Sequence, residues 1–128
     1  MRHVVQRDAR LRASEDFRRV QAEGRSWPHR LLILLAAPGV DPRSPTRVGI
    51  VASKRVGNAV VRNRTRRRLR EVMRLRLCRV APGWDLVFVV RAAAAGAPQA
   101  ALVAAVETVL TRAGLLSAEA TCGASPSA

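Results

Sequence analysis

From Lys54 to Arg70 the chain carries eight cations, Lys54, Arg55, Arg62, Arg64, Arg66, Arg67, Arg68 and Arg70, and no anion until Glu71. The segment reads as a helix with one face to bury and one to leave with solvent or a counter-charge. At about 100° per residue, Thr65, Leu69, Val72 and Met73 fall on one stripe. Arg64, Arg67 and Arg74 fall opposite Leu69, with Arg68 and Arg70 on the flanks. Asn58, after Gly57, is placed to cap a helix running to about Arg79. In isolation such a helix repels itself. Like charges at i,i+4, such as Arg62 with Arg66, each destabilise it by roughly 0.2–0.5 kcal/mol. A bound phosphate chain reverses that sign. The helix start adds unpaired N–H groups and a positive dipole, and guanidinium groups add bidentate phosphate contacts and stacking. A merely solubilising face would carry interspersed Glu, and this one does not.

The whole chain repeats the bias. Its 128 residues suit one domain, and its formal net charge is +14, which suits a polyanionic partner. Lys54 is the only lysine among 23 basic residues. A GC-rich genome would account for Arg over Lys, but not for cations over anions. An anionic membrane is the other polyanion to weigh. The longest apolar run, Leu31 to Ala37, is too short to span a bilayer and is ended by Pro38 and Gly39. The Arg-rich start lacks the apolar stretch of a secretory signal, and Asp8, Glu15 and Asp16 weigh against an organellar transit peptide. The expected location is the cytoplasm. Cys78 and Cys122 form no CxxC, and the histidines are His3 and His29. Incidental thiols are expected, not a zinc site or disulfide framework.

Residues 1–12 are expected to form a flexible basic arm, 13–116 the folded domain, and 117–128 a disordered tail. Ser14 is placed to cap a short helix over about Glu15–Glu23, with Glu15 and Asp16 in its first turn, Phe17 and Val20 apolar, and Gly24 as a C′ stop. Arg30–Ala37 and Thr46–Ser53 read as strands, expected to pair antiparallel across a Pro- and Gly-rich turn. In the second, Val48, Ile50 and Ala52 alternate with Gly49, Val51 and Ser53. Trp84–Arg91 reads as a strand covered on both faces. A last helix follows, with Pro98 in its first turn, an apolar face of Leu102, Val106, Val109 and Leu110, and Gly114 as its cap. The expected order is αββαβα, an α+β two-layer sandwich of helices on a small sheet. Phe17, Trp27, Trp84 and Phe88 are the only aromatics, so the core must be mainly Leu, Val and Ala.

The run Lys54-Arg55-Val56-Gly57-Asn58-Ala59-Val60-Val61-Arg62-Asn63-Arg64 and the cations beyond it resemble the signature of the ribonuclease P protein family. Asp16-Phe17, Arg47-Val48-Gly49-Ile50 leading to Ser53, and Ala113-Gly114 also fit, so the resemblance spans roughly residues 10 to 116. It implies a protein that binds a catalytic RNA and assists removal of the 5′ leader of precursor tRNA. The RNA would perform the hydrolysis with Mg2+ held mainly by RNA, no metal bound tightly by the protein, and neither a membrane nor a small-molecule cofactor. It also implies a left-handed β-α-β crossover, where pattern rules favour the right-handed one. By the same resemblance, Lys54, Arg55, Asn58, Arg62, Asn63, Arg64, Arg66, Arg67, Arg68 and Arg70 border the RNA subunit. A leader cleft would involve Phe17, Gln21, Leu35, Ser53, Arg62 and Asn63, the last two at the boundary of both surfaces. Phe17 is either a leader-stacking aromatic or a core residue, or both. Gln21 and Leu35 stand where the family often has aromatics, which shifts the expected hold on the leader from stacking toward charge.

Three alternatives share some of these features. A basic ribosomal or ribosome-associated protein would share charge and size without needing the ordered Gly-Asn-Ala-Val and Arg-Asn-Arg elements. A DNA-binding module usually places another helix or a zinc site close before its recognition helix, whereas here a strand and a Gly-Asn turn precede it. A stand-alone nuclease would need more acids and histidines than this chain offers for a hydrolytic site.

Overall fold

The computed structural model describes residues 14–39 and 41–117. The expected arm, the capping contact of Ser14 and the tail beyond Ser117, with Cys122, lie outside what is described. The elements are α1 (Ser14–Glu23), β1 (Arg25–Pro28), β2 (Leu32–Pro38), β3 (Arg47–Ala52), α2 (Ala59–Arg74), β4 (Trp84–Val90) and α3 (Gln99–Arg112). Short 3-10 turns occupy Leu77–Arg79 and Ala92–Ala94. The fold is α+β, as expected, with one more strand than the sequence suggested.

The strands form one sheet in the order β1-β2-β4-β3. The expected antiparallel pairing of the second and third strands is therefore corrected: β4 lies between them. It runs antiparallel to β2, with Leu34 opposite Phe88, and parallel to β3, with Ile50 opposite Phe88. The physical reason is burial. β2 and β4 are the two continuous apolar runs and take the two interior positions of the sheet, while the alternating β3 takes an edge; a strand paired on both edges and covered on both faces takes such a composition. The extra strand β1 is only Arg-Ser-Trp-Pro, and it sits at the sheet edge, where Pro28 is tolerated.

One face of the sheet carries the main core. Leu32, Leu34, Val48, Ile50, Leu86, Phe88 and Val90 pack there with Leu69, Val72 and Met73 of α2 and Leu102, Val106, Val109 and Leu110 of α3. The α2 stripe is the one the sequence spacing predicts, Thr65 included. The opposite face holds a second, smaller cluster, Val20 of α1 with Ala37 and Val87. Helices thus lie on both faces.

Three local expectations change. α2 stops at Arg74, not Arg79, because the next position of its stripe is Arg76. That side chain turns back to the Val72 carbonyl at 3.0 Å and to Glu107 of α3 at 2.8 Å. Gly24 ends α1 without left-handed backbone; a Cβ there would meet the Ala36 carbonyl oxygen at 2.7 Å. Cys78 is disulfide-bonded and is not an incidental thiol. The chain leaving α3 returns beside its turn, where the Ala81 N–H donates to the Leu115 carbonyl at 2.9 Å and the Ser117 N–H to the Arg79 carbonyl at 2.8 Å.

Candidate nucleic-acid interface

The start of α2 is built by the Gly-Asn pair. Asn58 accepts the Val61 N–H through its side-chain oxygen at 3.0 Å, satisfying one of the orphan donors of the first turn. Gly57 takes φ +153°, and a Cβ there would lie 2.8 Å from Val61, so the tight turn and the helix start depend on glycine. Thr65 can sit buried in the stripe because its hydroxyl donates to the Val61 carbonyl at 2.8 Å.

The cations of this helix then divide into distinct groups. Arg64 and Arg67 are exposed and have no partner among the described residues, as do Lys54 and the Arg55 side chain on the turn before the helix. Arg62 is half-buried, and its Nε is enclosed without a hydrogen-bond partner among the described residues. A guanidinium so placed has donors to offer a ligand. Arg66 donates to Asn63. Arg74 pairs with Glu71 at 2.6 Å, and the hydrogen bond between them holds the Glu71 carboxyl below its ordinary range and raises Arg74. Arg70 is half-buried and engaged. Arg68 is different again. It donates to the Gln99 side chain at 2.9 Å and to the Ala97 carbonyl, tying α2 to the start of α3. Helical spacing alone places Arg68 among the cations flanking the solvent face; the structure spends it on packing.

The other face of the sheet carries the leader-cleft residues of the sequence reading. Phe17 of α1 and Leu35 of β2 are half-buried and pack, with Val89, against the small cluster. Gln21 is exposed on α1. Toward the far end of β4 this face opens into a groove of about 540 Å³ whose apolar floor includes Ile33 and Val89. Its rim holds Ser53, Arg30, Arg55 and Arg91. Of the leader-cleft residues of the sequence reading, Ser53 lines this groove, whereas Phe17, Gln21 and Leu35 are not among its lining residues. Arg62 and Asn63 do not line it either; they lie on the first two turns of α2, beyond the Ser53–Gly57 turn. Arg30 and Arg91 were missed from sequence. Each flanks the end of a strand, and the register of Leu32 with Val90 is what brings those ends together.

At the opposite end of the same face, buried Asp85 of β4 accepts from Arg47 of β3 at 3.0 and 2.9 Å and from Arg19 of α1. Arg47 also reaches Asp16 of α1 at 3.4 Å. The hydrogen bond to Asp85 is the main cause that raises the Arg47 guanidinium above its ordinary value. The groove can therefore offer a polyanion a basic rim over an apolar floor, while α2 offers a second, separate set of unpaired guanidiniums.

A family model described as Ribonuclease P matches residues 5–114. The chain is 45% identical over 115 residues to the ribonuclease P protein component of Roseiflexus castenholzii, spanning 88% of this chain and 91% of that protein. It is 50% identical over 88 residues to the protein of the same description from Herpetosiphon aurantiacus, spanning 69% and 70%. Among solved structures, it is similar to a Staphylococcus aureus RNase P protein mutant with defective mRNA degradation activity. The TM-score is 0.82 at 25% identity, over 90% of this chain and 96% of that one. The RNase P protein from Thermotoga maritima gives a TM-score of 0.72 at 25% identity, over 80% and 96%.

Proposed function

The chain belongs to the ribonuclease P protein family, and from that premise we propose that it is the protein subunit of ribonuclease P, assisting a catalytic RNA in endonucleolytic removal of the 5′ leader from precursor tRNA. The observation that carries this reading is the separation of two basic surfaces. Unpaired Arg64 and Arg67 on α2 face away from the core, and the groove lined by Ile33, Val89, Arg30 and Arg91 lies on the other side of the sheet, with Arg55 at the boundary of the two surfaces. A subunit that must hold a folded RNA and a single strand at once needs two such surfaces.

In this reading, Lys54, Arg55, Arg62, Arg64 and Arg67 neutralise phosphates of the RNA subunit, with Asn58, Asn63, Arg66, Arg68 and Arg70 building and flanking that face. The leader runs over the sheet face from Phe17 and Leu35 into the groove at Ser53. Gln21 offers no π face, so guanidiniums hold the strand largely through its phosphates. Mg2+ is assigned to the RNA. Among the described residues no group of three or more His, Cys, Asp or Glu is gathered that could hold a metal, so no step is routed through a protein-held ion. Among the described residues no helix is long and apolar enough to cross a membrane, and a cytoplasmic site of action accords with the reading. The relatives named above favour it over the ribosomal alternative.

The test is precursor tRNA cleavage at low magnesium with protein alone, RNA subunit alone, and both. The expected result is leader removal at the mature 5′ end with both, and none with protein alone. Robust magnesium-dependent cleavage by highly purified protein without RNA overturns the reading.

A further inference from the structure

The cluster of Arg19, Asp85, Arg47 and Asp16 stands outside both proposed RNA surfaces and ties α1 to the sheet. α1 has ten residues, and among its described side chains only Val20 is fully buried. Apolar contact with the sheet is small: Val20, Ala37 and Val87 form the buried cluster beneath it, with half-buried Phe17, Leu35 and Val89 packed against them. Polar ties supply the rest. Arg19 donates to the Pro38 carbonyl at 2.9 Å and to Asp85, and Asp16 meets Arg47 at 3.4 Å. Asp85 is the hub, 1% exposed, and two guanidiniums from different elements converge on it.

The strand register gives this hub a direct line to the groove. On β4 the same face presents Asp85, then Val87 under α1, then Val89 on the groove floor. At about 3.3 Å per residue, Asp85 is roughly 13 Å from Val89. It cannot touch a strand lying in the groove, but it can fix the helix that carries Phe17 and Gln21 above the same sheet. We propose that Asp85 is a positioning residue for the 5′ leader. Through Arg19 and Arg47 it latches α1 onto the sheet, and so sets the placement of Phe17 against the groove. This rests on the reading of the groove as the leader path.

The test exploits a difference of sign. Asp85→Asn removes an anion from a chain of net charge +14, so simple electrostatics tightens every RNA ligand. Loss of the latch instead weakens only the ligand that needs α1 in place. Holoenzyme is reconstituted with wild type, Asp85→Asn, Arg19→Ala and Arg19→Lys, and affinity is measured for matched precursor and mature tRNA. The expected result is a fall of about five-fold or more in the precursor-to-mature affinity ratio for Asp85→Asn and Arg19→Ala, the low end of one base-stacking contact. Arg19→Lys should recover most of it. A general loss of folded protein lowers both affinities together and leaves the ratio alone. If Asp85→Asn does not fold, Arg19→Ala, on the more exposed side of the pair, decides with its lysine rescue. An unchanged ratio in the folded variants overturns the latch. Failure of wild-type protein to support leader removal overturns the functional reading instead.

Discussion

Two neighbouring arginines on α2 should behave as different kinds of residue. Arg64 and Arg67 are exposed and without partners among the described residues, whereas Arg68, one position on, donates to Gln99 and the Ala97 carbonyl. Replacing Arg64 and Arg67 together with Ala removes two phosphate-neutralising charges. Each contact contributes about 0.7–0.9 to the slope of log K against log salt, so the slope for RNA-subunit binding should become shallower by about 1.4–1.8. Exposed charges of this kind are worth about 0.2–1 kcal/mol each, so Kd should rise roughly two- to thirty-fold at moderate salt. The fold has no reason to respond, because neither side chain packs. Arg68→Ala should do the reverse. It loses two charge-assisted hydrogen bonds and leaves the Ala97 carbonyl without that donor, a cost of about 1–2 kcal/mol for partly buried groups. For a domain near 100 residues, Tm should fall by at least about 4 °C, with the salt slope changed little. The assay is a pair of measurements on each variant, a thermal melt and an RNA titration over a salt series. If Arg68→Ala flattens the slope and spares Tm, Arg68 is a phosphate ligand and the tie to α3 is incidental. If the double variant keeps the wild-type slope, the outward face of α2 is not the RNA interface.

Phe17→Leu keeps most of the apolar volume beside Val20 and removes the π face; it should weaken holoenzyme binding of precursor tRNA by about 1–3 kcal/mol if Phe17 stacks on a base, with mature tRNA unaffected. Equal loss for both ligands would mark Phe17 as packing alone. Gly57→Ala should destabilise the domain by about 1–3 kcal/mol in denaturant titration, since the backbone is at φ +153° and the added Cβ meets Val61 at 2.8 Å; unchanged stability would refute that turn geometry.

What could be read from the chain alone follows from where the determining contacts lie. The α2 stripe and its Asn58 cap are properties of a few turns of helix, and helical period and capping chemistry report them directly. The apolar face of α3 was legible for the same reason. A four-residue segment containing a proline gave no period to mark β1. The place of β4 between β2 and β3 depends on pairing among distant segments, for which the local patterns carry no register. Asp85 was invisible as a hub because an acid at a strand end looks like a solvent-facing residue until Arg19 and Arg47 are brought to it from two other elements. Arg30 and Arg91 likewise become neighbours only once Leu32 is set opposite Val90. The basic signature located the cationic helix α2, but helical spacing did not separate Arg68 from Arg67, because that distinction belongs to α3.

The central position of β4 also orders the events by which the chain can acquire its shape. During synthesis β2, β3 and α2 are all complete before β4 exists, yet neither β2 nor β3 reaches its place in the sheet without it. The Arg47–Asp85 pair spans 38 residues, and the ladders on either side of β4 close loops of comparable or greater length, whose entropy must be met before the contacts return it. The stripe of α2 thus has no finished sheet to cover until Trp84–Val90 arrives. Only once β4 is paired do Arg64 and Arg67 sit on a fixed face, opposite the stripe that packs on the sheet.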